Sequence, residues 1–160
     1  MNSLKQLQKI ELNIVKEIDR ICKKYGLIYY LGEGSMLGAI RHKGFIPWDD
    51  DMDLLMPRKD YEKFLKYAPK EISNIYEVQH SSTIKDYWSP FIKIRYLDNS
   101  LYSQSHIAHL TDHNGPLVDI FPIDNVPDKI SFKQKIQAVE RKYLRGMLTY
   151  KLKLLKIEKF

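Results

Sequence analysis

Pro47-Trp48-Asp49-Asp50-Asp51-Met52-Asp53-Leu54-Leu55-Met56 sets four carboxylates within five residues directly against an apolar run. The apolar part reads as a buried strand, and in a strand side chains two apart share a face, about 6.5–7 Å from each other along the chain. Asp51 and Asp53 therefore face a common ligand while Met52 and Leu54 face the core. Asp49 extends the same row, and Asp50 points outward. Carboxylates this close repel one another and raise each other's pKa unless cations neutralise them. A hard divalent ion with a preference for oxygen, Mg²⁺ with Mn²⁺ as the alternative, fits that need. Two aligned carboxylates can hold one or two such ions against a phosphate and neutralise charge that develops during displacement. A solvated acidic turn would account for Asp49 and Asp50, but not for an acid at Asp53 inside an apolar run.

Working outward from this run, helices and short strands intermix, which places the chain in the α/β class. Between Ser3 and Tyr25 the residues Leu4, Leu7, Ile10, Ile14, Ile18, Ile21 and Cys22 recur at three- and four-residue steps, predicting a helix with one buried face that ends at Gly26. Leu27–Leu31 suits a strand, Gly32-Glu33-Gly34-Ser35 a turn, and Met36–Arg41 a small helix. Beyond the acidic run, Pro57 opens a helix over Arg58–Ala68 that Pro69 closes. Tyr76–Gln79, Phe91–Tyr96 and Leu117–Phe121 are predicted strands, and Ile130–Lys156 a long basic helix.

Three further features carry chemistry. Gly34-Ser35 follows a strand and opens a helix, where backbone N–H groups and the helix dipole can receive a phosphate; a plain N-cap serine is the alternative. Asp119 is a lone acid within Leu117-Val118-Asp119-Ile120-Phe121-Pro122 and needs a reason to be there. A third metal-facing carboxylate or a general base supplies one, and a buried salt bridge to Lys93 or Arg95 supplies another. Lys93 and Arg95 themselves alternate with Ile92, Ile94 and Tyr96. They either grip phosphate oxygens or keep an edge strand soluble.

Composition narrows the classes. The formal net charge is +6, but residues 1–127 carry 16 Lys/Arg against 17 Asp/Glu, and the excess lies in residues 128–160, with 10 against 3. Basicity confined to one helix argues against nucleic acid as the partner and leaves peripheral membrane contact through that helix open. Cys22 is the single cysteine, which excludes an internal disulfide framework and fits a reducing compartment. No apolar run approaches a bilayer span, and the N-terminus lacks a secretory apolar block. A cytoplasmic protein, at most at the inner face of the membrane, is expected. His106, His109 and His113 with Asp112 stand at helical spacing, and a zinc site there is the weaker alternative to a polar connection.

Gly-Ser before a helix, Asp-x-Asp on a strand and a third strand-borne aspartate form the pattern of the nucleotidyltransferase superfamily. More narrowly, Gly34-Ser35-Met36-Leu37-Gly38-Ala39-Ile40-Arg41-His42-Lys43-Gly44-Phe45-Ile46-Pro47-Trp48-Asp49-Asp50-Asp51-Met52-Asp53 resembles the LicD family of phosphocholine transferases and their fukutin-related relatives. The resemblance continues through Met56-Pro57-Arg58-Lys59-Asp60-Tyr61, Lys93-Ile94-Arg95 and Val118-Asp119-Ile120-Phe121-Pro122-Ile123-Asp124.

It implies a nucleotidyltransferase-like mixed sheet flanked by helices, with residues 1–127 as the catalytic core. Asp51 and Asp53, with Asp49 in support, would bind Mg²⁺, and Asp119 would be the third acid. Gly34 and Ser35 would hold a donor phosphate. Arg41, His42, Lys43, Trp48, Lys93 and Arg95 would contact donor or acceptor. The implied reaction moves a phosphorylated alcohol, phosphocholine foremost, from a CDP-linked donor such as CDP-choline to a hydroxyl of a surface glycan, lipopolysaccharide or teichoic acid. Family members continue with a further helical region, so residues 128–160 read as its start and the chain as a fragment or shortened variant. Two rival readings keep the fold: a nucleotidyltransferase that releases pyrophosphate, and a binding or membrane-docking module without turnover.

Overall fold

The computed structural model describes residues 3–85, 87, 89–98, 115–129 and 131–157, with the backbone alone at 133 and 148–157. Helix α1 spans Ser3–Tyr25, strand β1 Tyr30–Leu31, helix α2 Glu33–His42, strand β2 Asp53–Pro57 and helix α3 Arg58–Glu71. Strands β3 (Tyr76–Gln79), β4 (Ile92–Tyr96) and β5 (Leu117–Ile123) follow, and then helix α4 (Phe132–Ile157). Packing divides the chain into two units, one holding α1 to α3 with all five strands, the other α4. The mixed α/β class read from the sequence is the fold observed.

The strands form one mixed sheet in the order β1-β2-β5-β4-β3, in which only β2 and β5 run parallel. One face of this sheet is apolar. Leu54 and Met56 of β2, Val118 and Ile120 of β5, and Ile92 and Ile94 of β4 are all fully buried there, with Ile14, Ile18 and Ile21 of α1 and Phe64 and Ala68 of α3. Each of the larger side chains contributes roughly 1.5–3 kcal/mol through removal from water. The six-one bond of a glycine cap ends α1: Leu27 N–H donates to the Cys22 carbonyl at 2.9 Å, and Gly26 takes φ +61.

Several predicted boundaries move for physical reasons. Only Tyr30 and Leu31 of the expected strand 27–31 find partners, Leu55 and Leu54. Leu27 instead packs in the core, and the Tyr29 hydroxyl donates to Asp19 at 3.1 Å. Helix α2 begins three residues earlier than expected, with Gly32 rather than Ser35 at its cap. A Cβ at Gly32 would stand 2.9 Å from Leu55 Cγ, so the close passage of chain over β2 needs glycine there. Pro69 lies within α3 and does not close it. Placed in the last turn it forfeits a single hydrogen bond, and Ile72 N–H still caps the Ala68 carbonyl at 2.9 Å.

Strand β5 carries Pro122 although it lies between two other strands. The Asp119 N–H donates toward β2, to the Met52 carbonyl at 3.1 Å. Backbone direction alternates along a strand, so a donor at 122 would point toward β4. The ladder with β4 ends at Ile120, and the missing donor falls beyond that end.

Candidate active site

The register of the sheet builds the site. Asp53 of β2 stands beside Asp119 of β5, Asp119 beside Lys93 of β4, and Lys93 beside Gln79 of β3. These four side chains form one row across the face of the sheet opposite the apolar one, because each is one residue out of step with the buried Leu54, Ile120, Ile92 and Val78. Lys93 Nζ donates to both oxygens of Asp119, at 2.6 and 2.9 Å. Burial pushes the Asp119 carboxyl above its usual range and the Lys93 ammonium pulls against it. Asp53 is pushed up to about 6, first by burial and then by the charges of Asp51 and Asp119.

Three residues on two helices hold the acidic loop beside this row. Ser35, in the first turn of α2, accepts the Asp53 N–H at 2.9 Å through its hydroxyl oxygen, which fixes the start of β2 and leaves the serine proton to donate. Gly34 lies against Asp49, whose Oδ2 would be 2.9 Å from a Cβ at that position. From α1, Gln8 Nε2 donates to the Asp49 carbonyl at 2.8 Å and the Ile46 carbonyl at 3.3 Å. Asp49, Asp50 and Asp51 then bring one carboxylate oxygen each within 4.8 Å of the others. Asp50 joins this group instead of turning away, because β2 starts only at Asp53 and strict alternation does not extend back through the loop. Asp51 is pushed up by desolvation and by Asp49, Asp50 and Asp119.

Glu11 is the residue that sequence reasoning missed. It lies on the buried face of α1, 2% exposed, with Oε2 lacking any hydrogen-bond partner. Burial, then the charges of Asp51, Asp50, Asp49 and Asp53, push its carboxyl up to about 9. The signal was present in the spacing. Residues 4, 7, 11, 14, 18 and 21 form an unbroken three-four pattern, and Glu11 is its one charged member.

The donor set around the loop fits a hard divalent cation. It is made of the carboxylate oxygens of Asp49, Asp50 and Asp51, without sulfur or imidazole. The remaining predicted residues fall elsewhere. Arg41, His42 and Lys43 are exposed at the far end of α2, roughly 10 Å along the helix from Ser35. Trp48 is 73% exposed and meets the His42 ring edge-on at 6.3 Å. Arg95 is buried on an interior strand, where it donates to Gln79 Oε1 at 2.9 Å and the Gly115 carbonyl at 2.7 Å. Neither Lys93 nor Arg95 decorates a sheet edge, since β4 has β5 on one side and β3 on the other. His106, His109, Asp112 and His113 lie outside the described residues.

Residues 26–145, three-quarters of the chain, match the family model described as LicD/FKTN/FKRP, nucleotidyltransferase domain. The chain belongs to the LicD family. It is 34% identical over 129 residues to the lipopolysaccharide cholinephosphotransferase LicD of Haemophilus influenzae, a match covering 79% of this chain and 46% of that protein. It is 31% identical over 75 residues to the mouse ribitol 5-phosphate transferase FKRP, covering 47% of this chain and 15% of the mouse protein. An uncharacterized Rickettsia typhi protein is 31% identical over 68 residues, covering 42% of this chain and 22% of the relative. The chain thus spans less than half the length of the curated relatives it matches. Among the described residues, no helix is long and apolar enough to cross a membrane.

Proposed function

We propose that this chain transfers a phosphorylated alcohol, phosphocholine foremost, from a CDP-linked donor to a glycan hydroxyl with a divalent cation, Mg²⁺ or Mn²⁺, bound at its acidic loop. The observation that carries the reading is the row Asp53–Asp119–Lys93 lying beside the acidic loop, with Ser35 tied to the same strand. The names of the Haemophilus and mouse relatives, both transferases, support a phosphorylated alcohol as the group moved, and the Haemophilus name supports a glycan acceptor.

Asp51 and Asp53, with Asp49, would hold the cation, which when bound supplies charge neutralisation to the phosphates. Gly34 and Ser35 sit in the first turn of α2, where backbone N–H groups and the free serine proton can bind a donor phosphate oxygen. The acceptor oxygen attacks the phosphorus that carries the alcohol, the bond from that phosphorus to the bridging oxygen breaks, and CMP leaves with the electron pair. Asp119 accepts the hydroxyl proton: Lys93 occupies one site on each of its oxygens and leaves a second. Burial raises the proton affinity of this carboxylate, which suits a base.

The test is release of CMP from CDP-choline by the purified chain with Mg²⁺ and a glycan acceptor. Undiminished release by Asp51→Ala or Asp53→Ala would sink the assignment. The nucleotidyltransferase description of the family model favours a second reading, in which a nucleoside triphosphate donates its nucleotidyl part. Pyrophosphate among the products in place of CMP would select it.

A further inference from the structure

The site described so far gives Asp49, Asp50, Asp51, Asp53 and Asp119 a reason to cluster, and gives Glu11 none. Its position on α1 is a core position: Ile14, Ile18 and Ile21 continue the same stripe and are fully buried. An apolar side chain there would avoid the cost of desolvating a carboxyl whose Oε2 finds no partner. The placement is nonetheless specific. Gln8, three residues earlier and so nearly one helical turn away, binds the carbonyls of Ile46 and Asp49. Glu11 therefore follows it beneath the acidic loop. The charges that bear on it are Asp51, Asp50, Asp49 and Asp53, strongest first, with no cation among them.

A buried acid whose strongest charged neighbours among the described residues are all acids has two physical roles open to it. Either it stays protonated and serves as a poor substitute for an apolar residue, or a positive charge arrives in its surroundings. The oxygen-only donor set above it supplies the place for that charge.

We propose that Glu11 is a member of the cation site, its carboxylate meeting from the core side the divalent ion that the loop aspartates hold from the solvent side. The inference rests on the cation-dependent reading above. It assigns α1 a part in the chemistry: the loop is irregular, whereas Glu11 is carried by a helix packed into the core, so it sets how deep the ion sits. Glu11 is a positioning residue in this sense, since no substrate atom need touch it.

Mn²⁺ binding to the full chain, read from the electron paramagnetic resonance signal of the free ion, tests this. The variants are Glu11→Gln, Glu11→Met and Asp51→Ala, each also melted in EDTA. The expected result is Mn²⁺ affinity lowered tenfold or more in both Glu11 variants, with melting temperatures in EDTA equal to or above that of the parent. Parent-like Mn²⁺ affinity in Glu11→Gln, alongside loss in Asp51→Ala, overturns the inference and leaves the cation reading standing. Lower melting temperatures in EDTA for both Glu11 variants mark a purely structural role and also overturn it. A parent chain that binds no Mn²⁺ at millimolar concentration overturns the cation reading, and the role of Glu11 with it.

Discussion

The two faces of the sheet are made by alternate residues of the same strands, yet they obey opposite rules. Leu54, Ile120 and Ile92 on one face are fully buried among isoleucines and Phe64. Asp53, Asp119 and Lys93, one residue along on each strand, make the other face a charged row. The apolar face gains stability from each group removed from water. The charged face forfeits stability to hold like charges together and to carry a partly desolvated ion pair. A single register thus fixes the core and the site together, and a one-residue slip of β5 would destroy both.

Exchange between the faces gives the largest expected effect. Leu54→Asp places an unpaired charge in the core, and the expected outcome is a chain with no cooperative thermal unfolding by circular dichroism. Leu54→Ala should keep the transition but lower stability by about 2–5 kcal/mol. If both variants melt like the parent, the assignment of that face is wrong.

Next in size, Lys93→Met leaves Asp119 buried without its ammonium. A loss of about 3–5 kcal/mol in urea unfolding at pH 8 is expected for breaking a buried pair from one side. The loss should shrink toward pH 4, where Asp119 can take up a proton and become neutral. The double variant Lys93→Met with Asp119→Leu should recover most of the loss, and failure to recover would show that Lys93 acts through something other than Asp119.

A smaller effect separates the two states of Glu11. Its folded-state pKa of about 9 lies above the ordinary value of 4.5, so between these values the folded chain holds a proton that the unfolded chain releases. That contribution is fully present below pH 4.5 and is lost as pH rises through 9. In EDTA, Glu11→Gln should match the parent near pH 4.5 and exceed it progressively up to pH 9, measured as urea midpoints. A constant offset across this range would contradict the elevated pKa. The smallest effect is expected at Ser35→Ala, which removes the acceptor for the Asp53 N–H. About 0.5–1.5 kcal/mol of stability should go with it, with a larger proportional fall in transfer.

Much of this was legible in advance where local pattern and tertiary role coincide. The stripe of α1 and the strand around a lone Asp119 both follow from periodicity, whereas Asp51 precedes β2 and its place does not. Lys93 was harder. A strand reading Ile-Lys-Ile-Arg-Tyr looks the same at an edge as in the interior, and only strand order, which depends on contacts far apart in sequence, decides between gripping phosphate and holding Asp119. Glu11 was hidden for a different reason, since the eye completes an apolar stripe and passes over its exception. Asp50 shows the reverse limit, because alternation holds only where a neighbouring strand enforces it.

Pro122 carries a consequence of another kind. Beyond Ile120, β5 keeps β2 on one flank, while on the other its pairing with β4 has ended and the Phe91 ring packs 4.3 Å from that of Phe121. Unpaired backbone on a strand is, in general, a template on which a second chain can pair and start an aggregate. With proline at the position that would greet an incoming chain, the first rung of that ladder cannot form. The same residue that looks out of place inside a sheet thus withholds a backbone donor just where the pairing with β4 ends.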